Sequence, residues 1–578
     1  MVHNSSRRLF RMAGIVGMAA IAVTAFFSGP TARAANPQVT VNLSSSQGPV
    51  TYGASGSLYA LAENGTPGYE MLSGLKVQSI GQMAPGGTQH PDGDANVVAP
   101  EFWSEDGQQL QVYVQDYYPT WPYANPGITS YLNVVTTVVD SIKNEPNADE
   151  YVLIPFNEPD WIWYGTSGSE LTSFENDWKT VYQKIRSLWP SAQIAGPSFS
   201  AYNASAYQSF FTFAKDNDVL PNLVTWHELS NIFGDWYTNY DSFKSIESSL
   251  GINIPININE YGRSSGDMGI PGQMIQYIAR FENSRVQANM ASWGTIGDIG
   301  ETLTDSFAKA SAWYLYRWYG ERTGNDVAVT LPSLTGALQA TASLSADGQQ
   351  AYVILGGSSG STNVVINGIS STSLGNTVHV VVSTIANSGA NASSGPTTTS
   401  SGNYSVSNGA ITVTIPNMVA ANAYQINVTA GTDSLFDPNQ VYEISNVHSG
   451  LALEDYDLGT VDGSVVDQWA YSGSDNHMQW YIVPEGDGYY KIVNGYSGKP
   501  LDDYQNGTAN GSKVDQWEWS GGNNQLWKIT QVGGSYEFTN KVSGKALDVY
   551  DASTSDGGTV DQWTYSGSSN QLWSITAQ

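Results

Sequence analysis

Two glutamates stand at the ends of apolar runs that have the length of buried strands. Glu158 follows the run Tyr151–Ile154, and Glu260 ends a run that starts at Ile254. Two carboxyl groups on opposite sides of a sugar ring can cleave its glycosidic bond, one as an acid and the other as a nucleophile. This retaining reaction needs the groups roughly 5 to 5.5 Å apart, whereas an inverting reaction needs a wider gap. The sequence leaves that distance open.

Each glutamate also has an ordinary interpretation as a solvated loop acid beside a strand end. The motif Asn157-Glu158-Pro159 is too short to decide between the two. A second acid at a strand end is the stronger signal, because a closed parallel barrel brings the C-terminal ends of its strands to one rim. We therefore interpret Glu158 and Glu260 jointly as catalytic.

Strand-like and helix-like segments alternate through residues 36–325, which we predict to be the catalytic domain. Apolar residues at helical spacing fill most gaps between eight apolar or β-branched runs. The predicted strands are Val50–Leu61, Leu75–Ile80, Leu110–Val114, Tyr151–Ile154, Ala192–Pro197, Leu223–Glu228, Ile254–Glu260 and Ala288–Trp293. This order favours a (β/α)8 TIM barrel. An open doubly wound sheet is the alternative, but no phosphate-binding glycine fingerprint supports it.

The motifs Asn157-Glu158-Pro159 and Asn259-Glu260-Tyr261-Gly262 resemble the two catalytic motifs of clan A glycoside hydrolases. Members of that clan are retaining (β/α)8 barrels. A barrel followed by a β-sandwich is most similar to glycoside hydrolase family 39, which includes β-xylosidases. The resemblance implies Glu158 as the acid/base, Glu260 as the nucleophile and Asn157 as a hydrogen-bond donor to the sugar 2-hydroxyl.

Further aromatic and polar residues fall at or near the predicted strand ends, where substrate would bind. Aromatic rings can stack on a sugar face, and polar groups can hydrogen-bond its hydroxyls or tune Glu260. The candidates are Asp116, Tyr118, Trp161, Trp226, His227, Glu228, Tyr261 and Trp293. A buried, satisfied polar cluster is the alternative for the group around His227, and core packing is the alternative for Trp293. For Asp116 and Tyr118 the alternative is packing within a surface loop.

Residues 326–430 contain short β-branched or aromatic runs separated by Gly, Ser and Asn. We predict an all-β domain here, and the resemblance to family 39 implies a β-sandwich. A strand at residues 39–43 is a candidate member of the same domain. The Ser- and Thr-rich stretch Asn387–Ser405 is expected to form a loose hairpin or loop.

A threefold repeat occupies residues 440–578. The motif Val-Asp-Gln-Trp recurs three times and ends at Trp469, Trp517 and Trp563, at spacings of 48 and 46 residues. A second tryptophan follows in each unit, and one such ring per repeat can fill a shared core. The pattern resembles a ricin-type β-trefoil, similar to carbohydrate-binding module family 13.

This second resemblance implies a sugar site in each repeat. The second repeat supplies Asp502, Trp517, Asn524 and Gln525, and the third supplies Asp548, Trp563, Asn570 and Gln571. In the first repeat the candidates are Glu454, Trp469 and Asn476, where a glutamate replaces the aspartate and one extra residue precedes the second tryptophan. Several weak sites on one module would raise avidity for a polymer. A trefoil kept only as a folded tail is the alternative.

The composition of the chain indicates which classes of binding partner to expect. The 578 residues carry a net charge of -29 and no cysteine. A negative field disfavours nucleic acid and anionic lipid, so we expect a saccharide partner and neither nucleic acid nor membrane. The absence of cysteine excludes thiolate metal sites, and the six histidines lack ligand spacing, so neither a metal nor a cofactor is expected. We expect a monomer.

The N-terminus has the pattern of a secretory signal peptide, residues 1–34. Arginines precede an apolar stretch from Ala13 to Phe27, and Ala32-Arg33-Ala34 is shaped for cleavage. Ser6-Arg7-Arg8-Leu9-Phe10 also resembles a twin-arginine signal. We predict a secreted, extracellular protein.

These observations predict a secreted retaining glycoside hydrolase that a lectin-like trefoil tethers to a plant or microbial polysaccharide. Xylan, arabinan, galactan and arabinogalactan substrates all remain open. A carbohydrate-binding protein with an inactive barrel is one alternative. A transglycosylase that uses the same two acids is the other.

Overall fold

The computed structural model describes residues 36–578, apart from 106, 231, 264–265, 292, 432–434 and 474–475. Residues 37–578 form one compact unit. The predicted signal peptide lies outside the described residues. Within the described part of the chain, no helix is both long and apolar enough to cross a membrane.

A closed barrel of parallel strands follows the first strand, β1 (Gln38–Pro49). Barrel strands such as Tyr151–Ile154 are buried along their whole length, as expected of a parallel sheet covered by helices. In the described chain the barrel comprises β2 (Gly56–Leu58), β3 (Ser79–Met83), β4 (Gln109–Tyr113), β5 (Tyr151–Ile154), β6 (Gln193–Phe199), β7 (Leu223–Glu228), β8 (Ile256–Tyr261) and β9 (Gln287–Met290). The prediction of a (β/α)8 barrel is confirmed, and the doubly wound alternative is wrong because the sheet closes.

The helices that accompany these strands are amphipathic. In the fifth helix, Leu171, Phe174, Trp178, Val181 and Ile185 repeat at intervals of three and four residues and are all buried. The described helices are α1 (Tyr69–Leu72), α2 (Ala95–Ser104), α3 (Ile128–Ile142), α4 (Pro159–Ile162), α5 (Gly168–Leu188), α6 (Ala204–Asp216), α7 (Ile232–Leu250), α8 (Pro271–Ser284) and α9 (Ser311–Glu321).

Several barrel boundaries differ from the sequence prediction. The first barrel strand, predicted over Val50–Leu61, spans only Gly56–Leu58. The second barrel strand starts at Ser79, not at Leu75, because Leu75 ends a turn after α1. The last barrel strand ends at Met290, so Trp293 lies on the following loop rather than on the strand. Helix α2 was not predicted, since its mixed sequence carries a proline at Pro100.

The middle of the chain is rich in β-structure and forms, with β1, a nine-stranded sheet in the described residues. Its order is β15-β14-β17-β12-β11-β10-β1-β13-β16. The remaining strands are β10 (Asn325–Thr330), β11 (Gln339–Leu344), β12 (Gln350–Gly356), β13 (Gly360–Asn367), β14 (Thr377–Ile385), β15 (Thr397–Ser405), β16 (Ile411–Met418) and β17 (Ala423–Ala430). For the stretch Asn387–Ser405 the structure has the hairpin rather than the loop, since Thr397–Ser405 pairs antiparallel with β14 as a largely exposed, polar edge strand.

The C-terminal repeats form a second sheet of twelve strands in the described chain. They are β18 (Val441–Asn446), β19 (Ala452–Asp455), β20 (Ser464–Trp469), β21 (Trp480–Gly486), β22 (Tyr489–Asn494), β23 (Leu501–Asp503), β24 (Ser512–Gln516), β25 (Trp527–Val532), β26 (Ser535–Asn540), β27 (Ala546–Val549), β28 (Gly558–Trp563) and β29 (Trp573–Ala577).

Equivalent tryptophans in the three repeats build one core. Trp480, Trp527 and Trp573 are fully buried. Each indole N–H donates to the carbonyl of a leucine in its own repeat, at 2.9, 3.0 and 3.1 Å. The bonds satisfy the buried donors, so each ring can occupy the core without an unpaired polar group.

The repeats contact the barrel directly. The Lys76 ammonium lies 2.7 Å from the Glu518 carboxylate, and Arg317 on α9 donates to the Gly498 carbonyl at 2.8 Å. Barrel and repeats therefore share a polar junction.

Candidate active site

Glu158 and Glu260 lie at the same rim of the barrel. Glu158 follows β5 by four residues, and Glu260 is near the C-terminal end of β8. Glu158 has left-handed backbone angles, φ 48° and ψ 44°, and its N–H donates to the Ser198 carbonyl at 2.9 Å. Such backbone strain in a residue other than glycine is concentrated at functional sites, because the surroundings must hold it.

His227 lies between the two carboxylates. It stands opposite Glu260 in the register of β7 and β8. Its Nδ1 is 3.1 Å from Oε1 of Glu158, and its Nε2 is 3.6 Å from Oε1 of Glu260. The first contact is a hydrogen bond and the second is an ion-pair distance. One buried imidazole thus touches both acids.

Charges at this rim are coupled. Burial raises the pKa of Glu260 above its usual range, the His227 cation opposes that rise, and Glu158 adds to it. Burial lowers the pKa of His227, but Glu260 and Glu158 outweigh this and raise it to about 8. His227 is therefore cationic at neutral pH and favours the ionised form of Glu260.

Each carboxylate is also hydrogen-bonded by an exposed tryptophan. The Trp161 indole N–H donates to Oε2 of Glu158 at 3.2 Å, and the Trp293 side chain hydrogen-bonds Glu260. Trp161 and Trp293 are 48% and 47% exposed. Trp121, equally exposed, packs edge-on against Trp161 with ring centroids 5.4 Å apart. These rings offer sugar-stacking surfaces immediately beside the acids.

Asp116 is fully buried next to the rim. The Tyr59 hydroxyl donates to its Oδ2 at 2.7 Å, and the Tyr123 hydroxyl donates to its Oδ1. Burial raises the pKa of Asp116 to about 7, although both tyrosine bonds lower it. The Asp116 charge in turn raises the pKa of Glu260. Asp116 therefore contributes to the electrostatics of the site.

Asparagines precede both acids. The Asn157 backbone N–H donates to Gln115 at 2.6 Å, while its buried side-chain oxygen has no hydrogen-bond partner among the described residues. The Asn259 side chain donates to the Tyr113 hydroxyl at 3.0 Å and to Ser198 at 2.9 Å. Asn259 thus braces the strand end below Glu260.

Some of the residues predicted to bind substrate do not contact Glu158 or Glu260. The Trp226 indole donates to Glu228 at 2.8 Å, and Trp226 stacks on Trp236 of α7, so this pair faces the helix layer. The Tyr261 hydroxyl bonds the Ala54 carbonyl at 2.7 Å on the same outer side. Alternation along β7 and β8 explains this, because neighbours of an inward residue point outward. Tyr118 is partly buried against Tyr123.

Sequence reasoning missed Tyr59 and Tyr113 as members of the site. Tyr59 directly follows β2 and bonds Asp116. Tyr113 ends β4 and donates to the Asn259 carbonyl at 3.1 Å. Their positions at strand ends were the available signal, but it is shared by every barrel strand. Within the described residues, no group of three His, Asp or Glu side chains is placed to hold a metal ion.

The second and third repeats present matching sugar-site candidates. Asn524 donates to Asp502 at 2.8 Å, and Asn570 donates to Asp548 at the same distance. Trp517 and Trp563 are both partly exposed beside these pairs. Gln525 and Gln571 are buried, bond their aspartates and donate to loop carbonyls, so they hold the site rather than face solvent.

The first repeat differs in a way the sequence did not resolve. The carbonyl of His477 accepts from Asn494 at 2.9 Å, as the Asn524 carbonyl accepts from Asn540 at 2.8 Å. His477, rather than Asn476, therefore occupies the position of the sugar-site asparagine, because the extra residue shifts the register. Its Nε2 lies 3.4 Å from the Glu454 carboxylate.

Comparison with known proteins supports both halves of this description. Residues 434–517 and 523–578 match the family described as ricin-type beta-trefoil lectin domain-like. The 3-O-beta-L-arabinopyranosyl-alpha-L-arabinofuranosidase of Bifidobacterium pseudocatenulatum is 29% identical over 522 residues, 78% of this chain and 52% of the relative. The 3-O-alpha-D-galactosyl-alpha-L-arabinofuranosidase of Bifidobacterium longum subsp. longum is 29% identical over 544 residues, 81% of this chain and 47% of the relative. The chain spans about half the length of these curated relatives.

Solved structures match about two thirds of the chain. The structure of N2152 from Neocallimastix frontalis is 33% identical, with a TM-score of 0.65, and covers 69% of this chain and 100% of its own. A family 39 glycoside hydrolase from Xanthomonas axonopodis pv. citri is 13% identical, with a TM-score of 0.50, and covers 70% of this chain and 100% of its own. At that identity the second likeness concerns the fold alone. The chain thus joins a barrel and β-rich middle, whose fold is like that of a family 39 glycoside hydrolase, to a C-terminal region that matches the ricin-type beta-trefoil lectin domain-like family.

Proposed function

We propose that this protein is a retaining glycoside hydrolase that cleaves α-L-arabinofuranosyl linkages in a polysaccharide. One observation carries the proposal: Glu158 and Glu260 meet at the barrel rim across His227, and each is hydrogen-bonded by an exposed tryptophan. A glycosidase site requires two carboxyl groups flanking the bond, and the flanking rings offer surfaces on which a sugar can stack.

In the first step the Glu260 carboxylate attacks the anomeric carbon. The bond from that carbon to the leaving oxygen breaks, and Glu158 gives its proton to the oxygen. The sugar is then an ester of Glu260. The His227 cation, 3.6 Å from Glu260, favours the ionised nucleophile that this step consumes.

In the second step Glu158 takes a proton from a water molecule. The water oxygen attacks the anomeric carbon, the ester bond breaks, and the sugar leaves with its original configuration. Glu260 returns to the carboxylate and Glu158 to the acid. The hydrogen bonds from His227 and Trp161 hold the Glu158 carboxyl in place for both proton transfers.

The substrate class rests on the relatives. The names of both curated relatives end in alpha-L-arabinofuranosidase and carry a 3-O-linked arabinopyranosyl or galactosyl unit. We assign cleavage of α-L-arabinofuranosyl linkages to this chain as well. The 3-O-linked sugar of the substrate would pack against Trp121, Trp161 or Trp293.

The rest of the chain supports action on a polymer. The paired asparagines, aspartates and exposed tryptophans of the second and third repeats support a tethering role for the trefoil. The nine-stranded sheet is proposed to curl into a β-sandwich, because Val364 of β13 and Val380 of β14, far apart in the strand order, share one core. The arginines and apolar stretch at the N-terminus support export.

Hydrolysis of 4-nitrophenyl α-L-arabinofuranoside and release of sugars from arabinogalactan test the proposal. Glu260→Ala should abolish both. Glu158→Ala should lose polymer hydrolysis, and azide should restore cleavage of the aryl substrate as a glycosyl azide of retained configuration. Glu175→Gln, a buried α5 residue bonded to Ser209, is the matched control and should stay active. Hydrolysis that survives Glu260→Ala contradicts the mechanism, and a wild type that binds but never cleaves arabinosides contradicts the function.

A further inference from the structure

A cavity of about 280 Å³ lies where the barrel, the nine-stranded sheet and the first C-terminal repeat meet. Helix α9 contributes Trp313 and Arg317, β12 and β17 contribute Tyr352 and Asn427, and β21 contributes Tyr481. The volume is close to the lower bound of about 300 Å³ for ligand sites, which suits one or two sugar rings. This cavity contains neither of the proposed catalytic acids.

The lining has the chemistry of a saccharide site. Rings of Trp313, Tyr314 and Tyr481 offer flat apolar surfaces, while the amides of Asn427, Asn439 and Gln479 lie in the wall. Each of these amides also makes hydrogen bonds within the protein, so a sugar would use the remaining amide group of each. Rings stack on the C–H faces of sugars, and amides fix their hydroxyls.

Two cations line the same cavity, and only one is neutralised. Arg317 contacts Glu321 at 3.2 Å and donates to the Gly498 carbonyl at 2.8 Å. The Lys309 ammonium lies 4.2 Å from the centroid of the Trp313 ring, and no carboxylate among the described residues lies within ion-pair distance of it. In a protein with a net charge of -29, a cavity with an excess of positive charge is unusual.

The surroundings of Lys309 change the pKa of its ammonium group. Burial, together with the charge of nearby Arg317 and against the effect of Glu70, lowers the pKa of Lys309 to about 8. Lys309 is partly buried, and an ammonium partly removed from water without a carboxylate partner is destabilised. A bound anion would remove that destabilisation.

The segment of the first repeat that carries the extra residue lines the cavity. Its extra residue places His477 at the usual asparagine position, and Asn476 and Gln479 line the cavity instead. The counterpart segments of the other two repeats do not line it. The extra residue of the first repeat therefore lies next to the cavity.

We propose that this cavity binds a saccharide branch bearing a carboxylate, a uronic acid residue, whose carboxylate pairs with Lys309 while its ring packs on the aromatic lining. The site would hold an acidic branch of the polymer while the barrel acts elsewhere on the chain. This goes beyond the proposed hydrolysis and does not depend on it, since the readout is binding.

Calorimetric titration of the full-length protein with methyl β-D-glucuronide and methyl β-D-glucoside tests the proposal. The glucuronide should bind about tenfold more tightly, the usual value of a charge-assisted pair. Lys309→Met, which keeps the apolar stem, should remove that preference. Any binding at the trefoil sites is common to both proteins, so the difference between them reports the cavity.

Lys541→Met is the matched control. Lys541 also lies over an aromatic ring, 4.9 Å from the Tyr489 centroid, but is not part of the cavity. It should retain the preference. Equal affinity for the two glycosides, a preference that survives Lys309→Met, or acetate competing as well as the glucuronide would overturn the proposal. Thermal unfolding of both variants verifies that they are folded.

Discussion

The imidazole of His227 contacts Glu158 through Nδ1, at 3.1 Å from the carboxylate oxygen. Its other nitrogen faces Glu260, so the same side chain responds to the charge of both proposed catalytic groups. The two carboxylates raise the pKa of His227 to about 8 against the effect of burial. A cation is therefore held between two acids, one of which must be ionised when the other is protonated.

Replacing His227 by Gln should move the acid limb of the kcat/KM profile to higher pH. Attack requires ionised Glu260, so activity falls as pH drops through the Glu260 pKa, which burial already raises. Loss of the cation raises that pKa further, by at least about one unit. The measurement is kcat/KM from pH 3 to 9 on an aryl arabinofuranoside. A lower rate with an unmoved acid limb would show that His227 acts only through packing.

Replacing Trp161 by Phe should lower kcat more than it raises KM. The ring surface remains, but the N–H bond to Glu158 is lost, at a cost of about tenfold in rate for a bond to a charged group. Trp161→Ala should raise KM as well, because the stacking surface disappears. Trp121→Phe keeps a ring beside Trp161 and has no bond to the acids, so its kcat should stay close to wild type.

The pairing of Glu158 with Glu260 was predictable because it follows from two local rules. Each residue ends an apolar run, and the C-terminal ends of parallel strands meet at one rim. The barrel could be predicted for the same reason, since alternation of strands and helices is a local signal repeated eight times. The position of Trp293 could not be predicted from local signals, because the residue at which β9 ends depends on the neighbouring strands.

The sequence did not predict which side chains of β7 face the two acids. His227 points to the acids while Trp226 and Glu228 pair beneath the helices, and the three are adjacent in sequence. Which of them faces inward depends on strand register, and a one-residue shift reverses every side chain. The register of the first C-terminal repeat is likewise settled only by the bond from Asn494 to His477.

Replacing Glu228 by Gln should preserve hydrolysis and stabilise the protein at high pH. Burial raises the pKa of Glu228 from 4.5 to about 7, so the folded state favours the protonated form. Stability present below pH 4.5 is lost as pH rises through 7, by at most about 3 kcal/mol. Gln keeps an oxygen for the bonds from Trp226 and Asn239 and carries no charge.

The thermal midpoint of Glu228→Gln should therefore match wild type at pH 4 and exceed it at pH 8. Differential scanning calorimetry at the two pH values measures this. Lost hydrolysis in a folded Glu228→Gln variant would return Glu228 to the substrate site that the sequence predicted for it.

The trefoil should bind polymer through more than one repeat. Trp517→Ala or Trp563→Ala alone should weaken retention on insoluble arabinoxylan or arabinogalactan only modestly, because the other site remains. The double variant should lose at least about tenfold, since two linked weak sites raise avidity together. Both indoles are partly exposed, while the core of the repeats consists of Trp480, Trp527 and Trp573, so the variants should fold. A double variant retained as strongly as wild type would mean that the second and third repeats do not hold the polymer, and retention would then have to come from the Glu454 and His477 site of the first repeat.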